Sequence, residues 1–207
     1  MMRAEDDVRE EYRAQDDLRA PVGESFSKRL PWLILLFGLG MLVSSVAGLF
    51  EEIISHLSVI VSFQSLVLGM AGNVGTQSLA ITIRALTEGR MTAKQMRRLV
   101  LRESGVGLCN GLVLGGLSFW FIGAYLHWIR GIARTVAFSV SLCTGLALAC
   151  SMLLSGVAGS VIPLVCKRFR IDPAVASGPF ITTVNDLVAV VAYYGLSWLI
   201  LIRWRGI

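Results

Sequence analysis

Charge is scarce in this chain. Asp, Glu, Lys and Arg make up 16% of its 207 residues, against 55% apolar residues and a mean hydropathy of +0.68. That shortage excludes a water-soluble domain, which at this size needs far more polar surface. Cysteine is sparse too: Cys109, Cys143, Cys150 and Cys166 form no CxxC pair and fall inside apolar runs or at their edges. They read as small apolar residues, not as disulfides or metal ligands. Histidine is limited to His56 and His127, neither with a metal-ligand partner at useful spacing. No HExxH or GxSxG occurs, which argues against a hydrolytic enzyme.

What the chain does have is long apolar runs. Five are long enough to cross a bilayer as helices, which takes about 20 residues each. They run roughly over 31–50, 57–83, 105–128, 136–166 and 173–202. The fold expected is therefore an all-α integral membrane protein, with a charged segment 1–30 and a five-helix domain 31–205. The first run follows some thirty polar residues, so it does not read as a cleaved signal peptide.

Basic residues give the orientation. Six of the 19 Lys and Arg precede the first span, six lie in or beside the second connection, and three follow the fourth span. Only Arg130, Arg134, Arg203 and Arg205 fall on the other side. This asymmetry places the N-terminus in the cytoplasm and the protein in the cytoplasmic membrane as a multi-pass chain. The basic balance then reflects topology and contact with anionic membrane lipid; nucleic acid is not indicated.

Residues 1–30 carry eight acids and six bases with a near-repeat, "RAEDD" and "RAQDD", and read as a solvated helix or tail. An acidic cation-gathering surface is the sharper alternative. The second connection, "TEGRMTAKQMRRLVLRESG", reads as a short basic amphipathic helix on the headgroups. The fourth run exceeds one crossing, so tilt or a break near Gly156, Gly159 and Pro163 is expected. Gly105, Gly107, Gly111, Gly115 and Gly116 in span three predict close helix packing.

Two polar interruptions stand out. Span two holds "GMAGNVGTQS" (69–78), where Gly72 and Gly75 flank Asn73 and are followed by Thr76 and Gln77. Asn73 and Gln77 lie one turn apart on one face. Interhelical hydrogen bonding would explain such amides; so would contact with an ion through loosened backbone carbonyls. Span five holds "SGPFITTVNDLVAVVAYYG" (177–195), in which Asp186 is the one acid of an uncharged run. Thr182, Asp186 and Tyr193 share a face, with Thr183 and Asn185 beside it. An acid deep in a membrane helix costs about 2.5–3.5 kcal/mol and usually faces a bundle interior or a wet path. A protonated Asp186 hydrogen-bonded to Asn185 or a threonine is the structural alternative. No Lys or Arg lies in any span to pair with it, so a mobile cation is the natural counter-charge. Asn73 and Asp186 both fall a few ångströms to the cytoplasmic side of the midplane, counting about 1.5 Å per residue. Their oxygens suit a hard cation better than a transition metal.

In "LPWLILLFGLGMLVSSVAGLFE" (30–51), "GMAGNVGTQSLAITIRAL" (69–86) and "DPAVASGPFITTVNDL" (172–187) the chain resembles the membrane domain of the MgtE magnesium channel family. The resemblance implies a homodimer with a pore on its two-fold axis, lined by spans two and five. It implies Mg²⁺ as the transported ion and pore ligand, recognised largely through its water shell, with Asp186 and Asn73 as its contacts. Gly72, Gly75, Thr76, Gln77, Thr182, Thr183 and Asn185 are the further pore-lining candidates. Gln64, Ser65, Ala71 and Ala189 depart from the family's pattern. Members commonly carry cytosolic N and CBS domains; with about 30 residues before the first span, this is a short form, a truncated one, or a chain gated by a separate cytosolic regulatory chain. A proton- or sodium-coupled divalent cation exchanger and a non-transporting scaffold or regulatory subunit are the alternatives.

Overall fold

The computed structural model describes residues 21–51, 55, 58–89, 91–169 and 178–204. The charged stretch up to residue 20, His56 and residues 172–177 of the third motif lie outside them. The chain divides into two compact units, one up to Leu39 and one from Gly40 onward. Among the described residues five helices are long and apolar enough to cross a membrane, and this is an all-α membrane protein.

Helix α1 covers Val22–Gly48. It starts nine residues before the expected boundary at Pro31. Lys28 and Glu24, one turn apart, join across 2.8 Å at its polar end, a spacing that supports a helix beyond the apolar run. Helix α2 (Val61–Thr87) follows a single 3₁₀ turn at Ser58–Ile60, and α3 spans Ala93–Ala124 before a π turn at Tyr125–Ile129. Helix α4 covers Arg134–Arg168, and α5 covers Gly178–Ser197 with a π extension over Trp198–Trp204.

One expectation is corrected, and one of two alternatives is removed. The basic amphipathic stretch is not a separate surface helix; it forms the first three turns of α3. Thr92 starts it with a capping box, in which Thr92 and Gln95 each bond the other's backbone N–H. Nothing between Arg102 and Gly105 stops the helix thereafter. Helix α4 is likewise one continuous helix through Pro163. Gly156 and Gly159 serve instead as contact points. A Cβ on Gly156 would meet the Glu103 carbonyl at 2.8 Å, and one on Gly159 would collide with the Gly75 carbonyl.

The α3–α4 contact is the most extensive in the chain. Gly107, Gly111 and Gly115 of α3 lie against the backbone of Met152, Ala149 and Gly145, where added Cβ atoms would come within 2.5–2.6 Å. Small residues at this period let the two backbones touch, which is how helices gain packing where lipid offers no hydrophobic drive. Gly105 and Gly116 of the expected set face open space. Helix α2 lies on α4 and α5, and the α2–α4 pair is pinned at one end where Lys167 Nζ donates to the Leu86 carbonyl at 3.1 Å. At the other end the buried Tyr193 hydroxyl donates to the Ile60 carbonyl (2.7 Å), and Tyr194 donates to Gln64 Oε1 (2.7 Å) while stacking on Phe50. Gln64, one of the departures noted above, is thus a structural acceptor. Ala71 and Ala189, two others, are fully buried core methyls.

Candidate functional site

Where α2 passes α5, a surface groove of about 460 Å³ opens. Its walls are Gly69, Gly72, Asn73 and Thr76 from α2, facing Thr182 and Asp186 from α5, with Ser65 and Leu68 at one end. Gly72 faces Thr182 across this approach. A Cβ there would reach van der Waals contact with Thr182 Cγ2, at 3.7 Å, and anything bulkier would push α5 away. Asn73 is exposed and Asp186 half-buried, so both are reachable from the groove. Thr76 donates its hydroxyl to the Gly72 and Asn73 carbonyls, 3.0 Å each, which leaves the oxygen's lone pairs for the groove.

The expected set is therefore only partly assembled. Gly72, Asn73, Thr76, Thr182 and Asp186 share the groove. Gln77 is exposed on the same helix but beyond the groove wall. Thr183 turns back on its own helix, donating to the Pro179 carbonyl at 2.9 Å. Tyr193 lies on the angular face of Asp186 but nearly two turns further on, where Ile60 and Thr144 cover it.

Asn185 and Gly75 belong behind the groove. Asn185 is fully buried, and its amide rests on Gly75 so closely that a Cβ there would collide with it. Neither amide atom of Asn185 has a protein hydrogen-bond partner among the described residues, and the same holds for Ser151 and Ser155 of α4. Asn185 thus does not bond Asp186. Nor does any described Lys, Arg or His form an ion pair with Asp186.

A second acid went unrecognised in the sequence. Glu103 sits just before the apolar run that begins at residue 105, so composition assigns it to water. In the fold it is 3% exposed, and it accepts a hydrogen bond from Ser78 of α2 at 3.1 Å. The signal that finds it is spacing: Glu103, Gly107, Gly111, Gly115 and Ser118 recur every three or four residues and are all buried. Glu103 thus lies on the seam between α3 and its neighbours, on the buried side of α2.

Chemically, the groove offers one carboxylate, one amide and hydroxyl oxygens to whatever enters. Among the described residues no three His, Cys, Asp or Glu side chains come together as a metal cage. One carboxylate per chain with neutral oxygens is a weak, hard, oxygen-only donor set. It suits passage of a cation that keeps its water, not a resident transition metal.

The fold and groove define an all-helical membrane protein with an acid-bearing polar groove between two spans. The particular lineage is shown by comparison. The family model for MgtE, described as a divalent cation transporter, matches residues 64–196. The magnesium transporter MgtE of Enterococcus faecalis is 39% identical over 171 residues, covering 83% of this chain and 36% of that protein. Its counterparts in Bacillus subtilis and Thermus thermophilus are 34% and 30% identical, covering 82% and 84% of this chain. The chain belongs to the MgtE family. It spans 36% of the length of each of these relatives. The family is described as one of divalent cation transporters.

Proposed function

We propose that the chain is the ion-conducting part of a Mg²⁺ channel in the cytoplasmic membrane, working as a homodimer with the α2–α5 groove as half of its pore. One observation carries this reading: Asp186 is half-buried within a membrane span, faces a polar groove and makes no ion pair with any described residue. A carboxylate so placed needs a counter-charge, and a passing cation supplies one. Two copies of Asp186 across a two-fold axis would balance one divalent ion.

The surface of α2 supports the pairing. Ser65, Gly69, Asn73 and Gln77 follow one another every four residues and all are exposed. A polar stripe of that kind is unfavourable against lipid tails and calls for water or a protein partner. The family assignment and the names of the relatives point to Mg²⁺ as the ion. Asn73, Thr76 and Thr182 would hold water of its hydration shell, consistent with the reluctance of Mg²⁺ to dehydrate.

The test is flux in liposomes under a Mg²⁺ gradient. Asp186→Asn should retain the fold and lose most of the flux, and Asn73→Ala should lower it less. Normal transport by the Asp186 variant would remove the proposed role. Flux that follows an imposed proton or sodium gradient at constant Mg²⁺ gradient would identify a coupled exchanger instead.

A further inference from the structure

Away from the groove, α3 and α4 form a second concavity on the outer surface of their seam. One cavity of about 260 Å³ is floored by Gly115, Gly116 and Gly145 and walled by Leu112, Trp120 and Leu146. A second, of about 440 Å³, adjoins it through Phe119, Trp120 and Leu142 and ends at Arg134 and Thr135. Together they make one channel from the start of α4 toward its middle. Between Arg134 and Ala149 this amounts to about 22 Å of helix, enough to reach past the roughly 15 Å of hydrocarbon in one leaflet into the headgroups.

The two ends differ in chemistry. The inner part is apolar. The outer mouth is positive and carries no acid among its lining residues. Arg134 is exposed and its guanidinium lies 5.9 Å from the Phe138 ring centre, which holds it over the mouth. Arg134 is also the first residue of α4, and Ala133 before it provides no side-chain cap. The first-turn amides of this 35-residue helix thus have no side-chain cap from Ala133, and they add partial positive charge at the same end of α4. Phe119, Trp120 and Phe138 stand edge to face beside it, with centroids 5.4–6.3 Å apart, as aromatic side chains do at headgroup level.

We infer that this channel is a binding site for one anionic phospholipid of the leaflet at the α3–α4 connection. Arg134 and the first-turn amides of α4 hold the phosphate, and an acyl chain lies along Gly115, Gly116 and Gly145. An apolar helix from a second protein fits less well, because it would bury Arg134 without a partner for its charge.

Native mass spectrometry of the full chain, titrated with phosphatidylglycerol or phosphatidylcholine of the same acyl chains, tests this. The wild type should retain phosphatidylglycerol in preference. Arg134→Gln should weaken that retention roughly fivefold, the effect of one basic contact with an anionic surface, and leave phosphatidylcholine unchanged. Gly116→Leu should reduce both lipids. No atom lies within 4 Å of a Cβ added at Gly116, so the new side chain fills the channel without disturbing the seam. Leu146→Trp blocks the same space from α4 and covers the case in which the first variant fails to fold. Retention unchanged in Arg134→Gln and in the blocked variant overturns the inference. So does equal loss of both lipids in Arg134→Gln, or disulfide linkage of two copies through Leu112→Cys in a Cys109→Ala background.

Discussion

Substituting Gly75 by alanine adds a single methyl group behind the groove, and the fold gives it nowhere to go. Besides the amide nitrogen, the new Cβ would lie 2.7 Å from Asn185 Cγ and 3.0 Å from Oδ1, where uncrowded carbon contacts are about 3.5–4.0 Å. Asn185 cannot swing aside into solvent, because it is fully buried. On the opposite side the Gly75 carbonyl already touches Gly159, so α2 cannot retreat along α4 either. The strain must therefore move α5 by about an ångström, which carries Asp186 away from Asn73. Overpacking of this kind costs about 1–3 kcal/mol. Pairing Gly75→Ala with Asn185→Ala removes the obstacle and a buried amide that has no protein partner, so the double variant should recover most of the loss. The two sites are in contact, and a double-mutant cycle in mixed-micelle unfolding should show a coupling of at least about 1 kcal/mol. Vesicle Mg²⁺ uptake should fall in the single variant and return in part in the double. Wild-type stability for Gly75→Ala, or strictly additive effects of the two changes, would refute the reasoning.

Three further outcomes follow from contacts elsewhere. Glu103→Ala should destabilise by about 2 kcal/mol and Ser78→Ala by about 1, with the double variant costing less than the sum, since both remove one buried hydrogen bond; a cycle in the same unfolding assay measures this. Thr92→Ala removes the capping box of α3 and should cost about 1 kcal/mol, visible as faster amide exchange confined to the first turn after Thr92. Tyr193→Phe leaves the Ile60 carbonyl without its 2.7 Å donor and should lower stability by about 1 kcal/mol, while Mg²⁺ flux through the proposed groove, whose walls do not include Tyr193, should stay near wild type.

The spans were legible because hydropathy needs no tertiary information. Their ends were not. Helices α1 and α3 continue for about nine and twelve residues past the apolar runs that announced them, because helix formation stops at a cap or a breaker and not where polarity begins. The site was legible in kind: Asp186, Asn73, Thr76 and Thr182 do meet. Its membership was not, because polar type does not reveal direction. Asn185 and Asp186 are adjacent, yet about 100° of helical turn sends one into the packed interface and the other to the groove. Glycine likewise announced close contact without naming the partner. Gly72 faces Thr182, Gly75 faces Asn185 and Gly116 faces nothing.

Helix α2 explains why Glu103 and Asp186 have opposite fates. On its buried side Ser78 reaches Glu103, whose carboxyl is closed off among α2, α3 and α4 and has a hydrogen-bond partner already in place. On its open side Asn73 faces Asp186 across a groove wide enough for water, with no fixed partner for the charge. A permanently satisfied acid has nothing to offer a travelling ion; an unsatisfied one has little to offer stability. The same helix must hold both, and its glycines set how closely it sits against α4 and α5. In the proposed pore, the geometry at Asp186 would consequently be set by contacts outside the groove, among them Gly75 with Asn185 and Gly159 with the Gly75 carbonyl. On that proposal, changes at those positions should act on flux through distance and a change at Asp186 through charge, and only the second should alter the dependence of flux on ionic strength.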